Sequence, residues 1–197
     1  MNNVGVFLDR DGTINEEVDF LTSPKDLRLI PKSADAIREA NQMRLRVIVV
    51  TNQSGIARGL LTEKKLSEIH SELGRKLSES GARIDKFYYC PHHPESGDDA
   101  YRKDCECRKP GTGMLREAAR EFGLDLSRSF VIGDKKIDIE TALNAGSVPI
   151  LVLTGYGKQE LESCRGAGLK ISYIADDLYG AVNHIKQILK PNPVFSS

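Results

Sequence analysis

Short apolar runs alternate along the chain with stretches in which apolar residues recur every three or four positions. The first pattern predicts buried β-strands, and the second predicts amphipathic helices. Strands are predicted at 4–8, 47–50, 84–89, 130–133 and 149–153, and helices at 33–43, 62–79, 112–122, 138–144 and 177–189. Strands that alternate with helices favour a single parallel sheet with right-handed crossovers, which is a doubly wound α/β fold.

Several predicted helices carry start or stop signals. Ser33, Thr62 and Thr112 are predicted N-caps, because a side-chain hydroxyl can accept a hydrogen bond from the free N–H groups of a first turn. Gly81 is expected to end the second helix. The 197 residues suffice for one large core. We therefore predict a single domain over residues 1–190, followed by a C-terminal tail at 191–197.

Charge and hydropathy argue against several classes of protein. The 28 basic residues balance the 28 acidic ones, so no net field draws the chain to nucleic acid or to an anionic membrane. The sequence has neither a signal-peptide pattern nor an apolar run approaching about 18 residues. We expect a cytoplasmic monomer that binds neither nucleic acid nor membrane.

The first predicted strand ends in two carboxylates that are two residues apart, Asp9 and Asp11. Residues i and i+2 of an extended chain point to the same side, so both carboxylates should converge at the carboxyl end of the strand. Such a pair stays ionised only beside a cation, or else one member holds a proton. A turn built on Asp11-Gly12 is the alternative explanation, because Asp-Gly is a common turn sequence.

Three later segments also place polar groups at strand ends or helix starts. Thr51 and Asn52 end the second apolar strand, Lys109 precedes a predicted helix, and Asp134 ends another strand. Open α/β sheets bind ligands at this edge. A hydroxyl, a lysine and several carboxylates are what a phosphoryl-transfer site with a divalent cation needs. Each residue alone could be structural, but the four segments together favour such a site.

These segments resemble the four motifs of the haloacid dehalogenase superfamily of phosphohydrolases. The matching motifs are Asp9-x-Asp11-Gly12-Thr13, Thr51-Asn52, Lys109 and Gly133-Asp134-x-x-x-Asp138. More narrowly, the stretches 51–59, 90–94 and 105–110 resemble the D-glycero-D-manno-heptose 1,7-bisphosphate phosphatases. The resemblance runs from residue 4 to about residue 155 and implies the Rossmann-like core of that superfamily.

The resemblance implies a role for each matching residue. Asp9 would attack phosphorus and form an aspartyl phosphate, while Asp11 would protonate the departing oxygen and then deprotonate the attacking water. Thr51 and Lys109 would hold the phosphoryl oxygens. Mg²⁺ would be bound by Asp9, by the backbone carbonyl of Asp11 and by Asp134.

A short polar loop carries a second candidate metal site. Cys90-x-His92 and Cys105-x-Cys107 supply three sulfurs and one imidazole, a complete tetrahedral ligand set for structural Zn²⁺. A disulfide is the competing interpretation, but three cysteines cannot all pair among themselves, and a cytosolic compartment disfavours the bond. His93 is the alternative imidazole ligand.

The spacing between the motifs leaves little chain for a separate cap domain. Each interval has room for a loop, a helix and a strand, so we expect an open site whose selectivity comes from the loops around it. Asp138 is expected to orient the site. The candidate substrate-binding residues are Glu17, Val18, Asp19, Phe20, Asn52, Gln53, Ser54, Arg108 and Lys135.

Our first hypothesis is a phosphatase that removes the C7 phosphate of D-glycero-D-manno-heptose 1,7-bisphosphate, on the route to activated heptose for lipopolysaccharide or other surface polysaccharide. The second phosphate of this substrate would suit Arg108, since a guanidinium binds phosphate bidentately. The second hypothesis is histidinol-phosphate phosphatase, whose cationic substrate would favour the acidic groups Glu16, Glu17 and Asp19. The third is a non-catalytic phosphosugar-binding protein, although both carboxylates of the first motif are present.

Overall fold

The computed structural model of this protein describes residues 3–190. Within this range, one parallel sheet contains six strands in the order β3-β2-β1-β4-β5-β6. The strands are β1 (Gly5–Leu8), β2 (Arg46–Asn52), β3 (Lys86–Cys90), β4 (Phe130–Gly133), β5 (Val148–Val152) and β6 (Tyr173–Ala175). The predicted tail at 191–197 lies outside the described residues.

Helices connect these strands. They are α1 (Ser33–Gln42), α2 (Glu63–Ser78), α3 (Gly113–Phe122), α4 (Lys136–Ala145), α5 (Gly157–Gly166) and α6 (Leu178–Leu189). Of the helices within residues 3–190, none combines the length and the apolar character needed to cross a membrane.

The order of the strands places a crevice at the middle of the sheet. β1 pairs with β2 on one side and with β4 on the other. The chain runs outward from β1 to β3, returns to the opposite side of β1, and continues outward through β4, β5 and β6. The boundary between β1 and β4 is therefore the topological switch point, where open α/β sheets bind ligands at the carboxyl ends of their strands.

Apolar side chains pack on both faces of the sheet. Val6 and Leu8 of β1 lie in one core with residues of α1, α2 and α6, whereas Phe7 lies in a second core with residues of α3 and α4. This alternation is the two-residue period of a strand. Helices on both faces of a parallel sheet confirm the predicted doubly wound α/β class, and within residues 3–190 no connection contains a separate cap domain.

Two elements in the last third of the chain were not predicted, α5 and β6. The helix has few apolar residues and buries only Gly157 and Cys164 among its described residues, so it gives little periodic signal. The strand is three residues long, with Tyr173 and Ile174 exposed. β6 completes the sheet at its outer edge, and α5 begins directly after the Gly155-Tyr156 turn that follows β5.

The predicted caps had different outcomes. The side chain of Thr62 accepts a hydrogen bond from the N–H of Lys65, which confirms that N-cap. The prediction for Ser33 was wrong, because Lys32, at φ 65°, already turns the chain and Ser33 is the first helical residue. Thr112 lies at the N-cap position, but its backbone is not extended there and its side chain makes no capping hydrogen bond.

Candidate active site

Three buried carboxylates lie at the carboxyl end of the sheet, beside the crevice between β1 and β4. Asp9 follows β1, Asp134 follows β4, and Asp138 lies in the first turn of α4. Each contributes an oxygen to a group whose atoms all lie within 4.8 Å of one another. Carboxylates this close repel one another, so the cluster needs compensating positive charge.

Glycines allow the backbone to approach these carboxylates closely. Gly12, at φ 82°, and Gly155, at φ 52°, both lie against the carboxylate of Asp134, and a Cβ atom on either would overlap it. A Cβ atom on Gly133 would likewise overlap the carboxylate of Asp138. Packing therefore requires glycine at position 133, and the carboxylate of Asp134, the next residue, supplies charge to the cluster.

Lys109 supplies one positive charge to the cluster. Its Nζ lies 2.8 Å from Oδ1 of Asp9 and 2.5 Å from Oδ1 of Asp138, and the residue is 3% exposed. The side-chain amide of Asn52 accepts from the N–H of Lys109 at 3.0 Å and donates to its carbonyl at 3.1 Å. Asn52, which was predicted to bind substrate, thus uses both ends of its amide to position Lys109.

The cluster still carries excess negative charge. Burial raises the pKa of Asp134 to about 8, and the charges of Asp9 and Asp138 add to this effect. Burial also raises the pKa of Asp138 to about 6, against the opposing charge of Lys109. Burial alone would lower the pKa of Lys109, but Asp138 and Asp9 outweigh it and the pKa is raised.

These groups fit a divalent cation with hard oxygen ligands. Oδ2 of Asp134 accepts from the N–H of Tyr156 at 2.9 Å, whereas its buried Oδ1 has no hydrogen-bond partner among the described residues. Mg²⁺ would supply both the missing partner and the missing charge. The structure brings the predicted ligands Asp9 and Asp134 together. The carboxylate of Asp11 lies outside this cluster, so its predicted part in metal binding rests on its backbone carbonyl.

The carboxylate of Asp11 accepts hydrogen bonds at both oxygens. Oδ1 accepts from Arg10 Nε at 3.0 Å and Asn15 Nδ2 at 2.9 Å, and Oδ2 accepts from Arg10 Nη2 at 2.7 Å and Gln53 Nε2 at 3.1 Å. Gln53 Nε2 also donates to Oγ1 of Thr51 at 2.9 Å. Burial raises the pKa of Asp11, but the ion pair with Arg10 and the hydrogen bonds outweigh burial and lower it. Asp11 is therefore ionised in this arrangement and can accept a proton.

A cavity of about 190 Å³ opens beside Asp11. Nζ of Lys135 donates to Oε2 of Glu17 at 2.5 Å across its wall. Val18 and Arg108 are not among the lining residues, and Nη1 of Arg108 instead donates to the carbonyl of His92 at 3.0 Å. The other predicted substrate-binding residues line the cavity: Glu17, Asp19, Phe20, Asn52, Gln53, Ser54 and Lys135.

Sequence reasoning missed several residues around the site. Arg10 and Asn15 donate hydrogen bonds to the carboxylate of Asp11. A charged residue at the end of a buried strand was the sequence feature that could have identified Arg10. Tyr156 binds Asp134 through its N–H and donates its hydroxyl to Oδ1 of Asp19 at 3.1 Å. The Gly155-Tyr156 turn after β5 follows the same rule as the other site segments, since it comes directly after a strand end.

The loop between β3 and α3 brings three sulfurs and one imidazole together. The Sγ atoms of Cys90, Cys105 and Cys107 are 3.1–3.4 Å apart, and Nδ1 of His92 lies 3.2–3.6 Å from them. The cysteines of the described chain are free, so the disulfide interpretation is not supported. Nδ1 of His93 accepts two backbone N–H bonds at 3.1 Å instead of joining the cluster. Four converging soft and nitrogen ligands fit Zn²⁺.

Comparisons with known proteins agree with this geometry. A family profile described as HAD-hydrolase-like matches residues 106–181. The chain is 40% identical over 183 residues to a D-glycero-beta-D-manno-heptose-1,7-bisphosphate 7-phosphatase of Photorhabdus laumondii, with 92% of this chain and 96% of that protein covered. It is 43% identical over 195 residues to a D-glycero-D-manno-heptose-1,7-bisphosphate 7-phosphatase of Thermosynechococcus vestitus, with 97% and 100% covered.

A solved structure extends the match to three dimensions. The D,D-heptose 1,7-bisphosphate phosphatase of Bordetella bronchiseptica, crystallised with magnesium and phosphate, superposes with a TM-score of 0.84 at 36% identity, covering 94% of this chain and 99% of that one. The fold and the aspartate cluster thus define a phosphohydrolase of the haloacid dehalogenase type. Within that class, the chain belongs to the D-glycero-D-manno-heptose-1,7-bisphosphate 7-phosphatase family.

Proposed function

We propose that this protein is a magnesium-dependent phosphatase that removes the C7 phosphate of D-glycero-D-manno-heptose 1,7-bisphosphate and leaves heptose 1-phosphate. The observation that carries the proposal is the carboxylate of Asp9, which lies against Lys109 in the three-carboxylate cluster. The relatives support the heptose substrate, and they do not support the histidinol-phosphate or non-catalytic alternatives.

The chain's own residues account for both steps of the reaction. Asp9 attacks phosphorus, so that an Asp9 oxygen–phosphorus bond forms while the bond from phosphorus to the sugar oxygen breaks. Protonated Asp11 gives its proton to that sugar oxygen. In the second step, Asp11 takes a proton from water as the water oxygen attacks phosphorus, and this releases phosphate and restores Asp9. Thr51 and Lys109 hold the phosphoryl oxygens.

The first step needs a proton on Asp11, whereas its hydrogen bonds stabilise the ionised form. A phosphate dianion that enters the adjacent cavity acts in the opposite direction, because a nearby like charge raises the pKa of a carboxyl group. We therefore expect substrate binding to promote the acid form of Asp11. Departure of the sugar then favours the carboxylate that the second step needs.

Asp9, the Asp11 carbonyl and Asp134 would hold Mg²⁺ in this proposal. When bound, the cation neutralises negative charge between the carboxylate nucleophile and the phosphoryl group. Most of the barrier to phosphate ester hydrolysis must be removed by such electrostatics and by positioning, because general acid–base catalysis supplies only about 10²–10⁴ in rate.

Cys90, His92, Cys105 and Cys107 would hold a structural Zn²⁺. With all four positions filled by protein, such a site has no open position for catalysis. Its effect would be to fix the loop that leads directly into Arg108 and Lys109. We expect Arg108 and Lys135 to meet the part of the substrate that does not react, and we expect the enzyme to work as a cytoplasmic monomer.

Phosphate release in the presence of Mg²⁺ tests this function directly. The substrates are both anomers of heptose 1,7-bisphosphate, with histidinol phosphate for comparison, and Asp9→Asn is the control variant. We expect preference for a heptose bisphosphate and a loss of at least about 10⁴ in kcat in the variant, since the nucleophile is gone. Preference for histidinol phosphate, or binding without release by the metal-loaded protein, would contradict the proposal.

A further inference from the structure

We propose that Arg10 is a positioning residue that aims the carboxylate of Asp11 at the leaving oxygen, and that His70 and Gln53 hold Arg10 in place. The inference rests on the proposed function, because it assigns Asp11 the proton transfers of that reaction. Among the described residues, the side chain of Arg10 makes hydrogen bonds to Asp11, Gln53 and His70 and none to the three-carboxylate cluster.

Arg10 holds both oxygens of the carboxylate at once. Its Nε lies 3.0 Å from Oδ1 of Asp11, and its Nη2 lies 2.7 Å from Oδ2. A bidentate pair of this kind fixes the plane of the carboxylate as well as its distance. Asp11 and Arg10 both line the cavity in which the substrate would lie.

The partners of Asp11 other than Arg10 are the neutral side-chain amides of Asn15 and Gln53. This difference in charge determines which partner the substrate displaces. A carboxylate offers about four lone-pair positions, and Arg10, Asn15 and Gln53 occupy them. A bidentate pair between a guanidinium and a carboxylate combines opposite charges with two hydrogen bonds, so it is stronger than a single hydrogen bond from a neutral amide. The leaving oxygen would therefore take the place of an amide, at the longest bond from Gln53 Nε2 (3.1 Å), while the bidentate pair remains.

Two further side chains, those of Gln53 and His70, hold Arg10 in place. The residue is 1% exposed, its Nη2 donates to Oε1 of Gln53 at 3.3 Å, and its Nη1 lies 3.4 Å from Nε2 of His70. An arginine cannot accept a hydrogen bond, so Nε2 of His70 is the acceptor and the ring is neutral. Burial, followed by the charge of Arg10, lowers the pKa of His70 to about 3, in agreement with this role.

The fixing residues belong to rigid elements. His70 lies in α2, and its ring stacks on Phe87 of β3 with centroids 4.5 Å apart. Gln53 follows β2 and is tied to Thr51. The chain of contacts from α2 to Asp11 therefore leaves the guanidinium little freedom to turn.

The test compares two leaving groups. The sugar oxygen of heptose 1,7-bisphosphate needs a proton to leave, whereas p-nitrophenyl phosphate releases a stable anion. Arg10→Lys keeps the positive charge but cannot form the planar bidentate pair. We expect it to lower kcat on the sugar substrate about 10²-fold or more, the scale of a misplaced general acid, and to lower kcat on p-nitrophenyl phosphate less than about 10-fold. The exposed Arg165→Lys in α5 is the matched control and should leave both rates unchanged.

A second variant covers the case in which Arg10→Lys does not fold. His70→Phe keeps the ring stack on Phe87 and removes the acceptor, so it should give a smaller loss, about 3–10-fold, that is again confined to the sugar substrate. Equal losses on both substrates, or wild-type rates on both, would overturn the inference. Failure of the wild-type protein to hydrolyse heptose bisphosphate would instead reject the proposed function, so the two failures are distinct.

Discussion

Gly133 is the last residue of β4, and the carboxylate of Asp138 lies directly against it. Any side chain at this position would push that carboxylate away, because an added Cβ would overlap it. Asp138 in turn binds Nζ of Lys109 and accepts from the N–H of Lys135 at 3.1 Å. The glycine therefore controls the position of the lysine that contacts the nucleophile.

Gly133→Ala should lower kcat/KM by about 10² or more, since a displacement of about 1 Å at a reacting group has effects of that size. We also expect a loss of about 1–3 kcal/mol in the free energy of unfolding, as for other overpacked sites. Gly74→Ala is the matched control, because a Cβ there meets no atom within 4 Å. It lies in α2 and should gain roughly 0.5–1 kcal/mol with unchanged activity. Steady-state kinetics and urea unfolding measure both; wild-type activity in Gly133→Ala would refute the argument.

At the level of single residues, the sequence predicted which side chains meet but not what each one binds. Asn52 was predicted to bind substrate; it lines the cavity, and its amide also holds the backbone of Lys109. Arg10 was not predicted as a site residue, although it holds Asp11. Hydrogen-bond partners depend on the relative placement of separate strands, and no local pattern encodes them.

The loop between β3 and α3 connects the two predicted metal sites along the chain. Cys90 is the last residue of β3, and Lys109 follows Cys107 by two positions. The loop buries few apolar side chains of its own, so the proposed zinc would contribute much of its stability. In small peptides, the binding free energy of such sites reaches about 10–16 kcal/mol.

Cys107→Ser should reduce bound zinc from about one equivalent per chain, lower Tm by roughly 4–8 °C for an assumed loss of about 2 kcal/mol, and reduce activity through Lys109. Elemental analysis, thermal unfolding and phosphate release measure the three effects. Cys164→Ala is the control, since this cysteine lies in α5 outside the loop. Unchanged zinc content in Cys107→Ser would contradict the proposed ligand set.

At the level of elements, strong periodicity and buried apolar runs sufficed for most strands and helices. The pattern failed for α5 and β6, where the burial that creates a signal is nearly absent. The predicted cap at Ser33 failed for a different reason, because the left-handed backbone of Lys32 starts the helix without a side-chain cap. Tertiary placement, rather than local preference, fixes these positions.

The whole molecule should respond to pH through Asp134. Its pKa is raised to about 8 in the fold, so the folded protein holds a proton that the unfolded chain, with an ordinary aspartate, releases. Stability from this group is thus lost as pH rises towards 8. The pKa of His70 is instead lowered to about 3. Its contribution to stability therefore increases with pH, but only below about pH 6.5, where the histidine of the unfolded chain is protonated.

Without added magnesium, the free energy of unfolding should therefore fall by up to about 2 kcal/mol between pH 6.5 and 8. Mg²⁺ should stabilise the protein more at pH 8 than at pH 6.5, because the cation and the proton compete for the same carboxylates. Urea unfolding at both pH values, with and without Mg²⁺, measures these differences. Asp134→Asn should lose both the pH trend and the response to Mg²⁺; a full response in that variant would assign the cation to other ligands.

The cavity and the carboxylate cluster are built from different parts of the chain. Strand ends hold Asp9 and Asp134, whereas the loop that carries Glu17 and Phe20 and the turn that carries Ser54 form much of the wall. Exchanging those surface segments between related enzymes should redirect substrate choice while the bond-breaking centre stays intact. The same division gives evolution, or an engineer, a scaffold in which new specificities arise without rebuilding the chemistry.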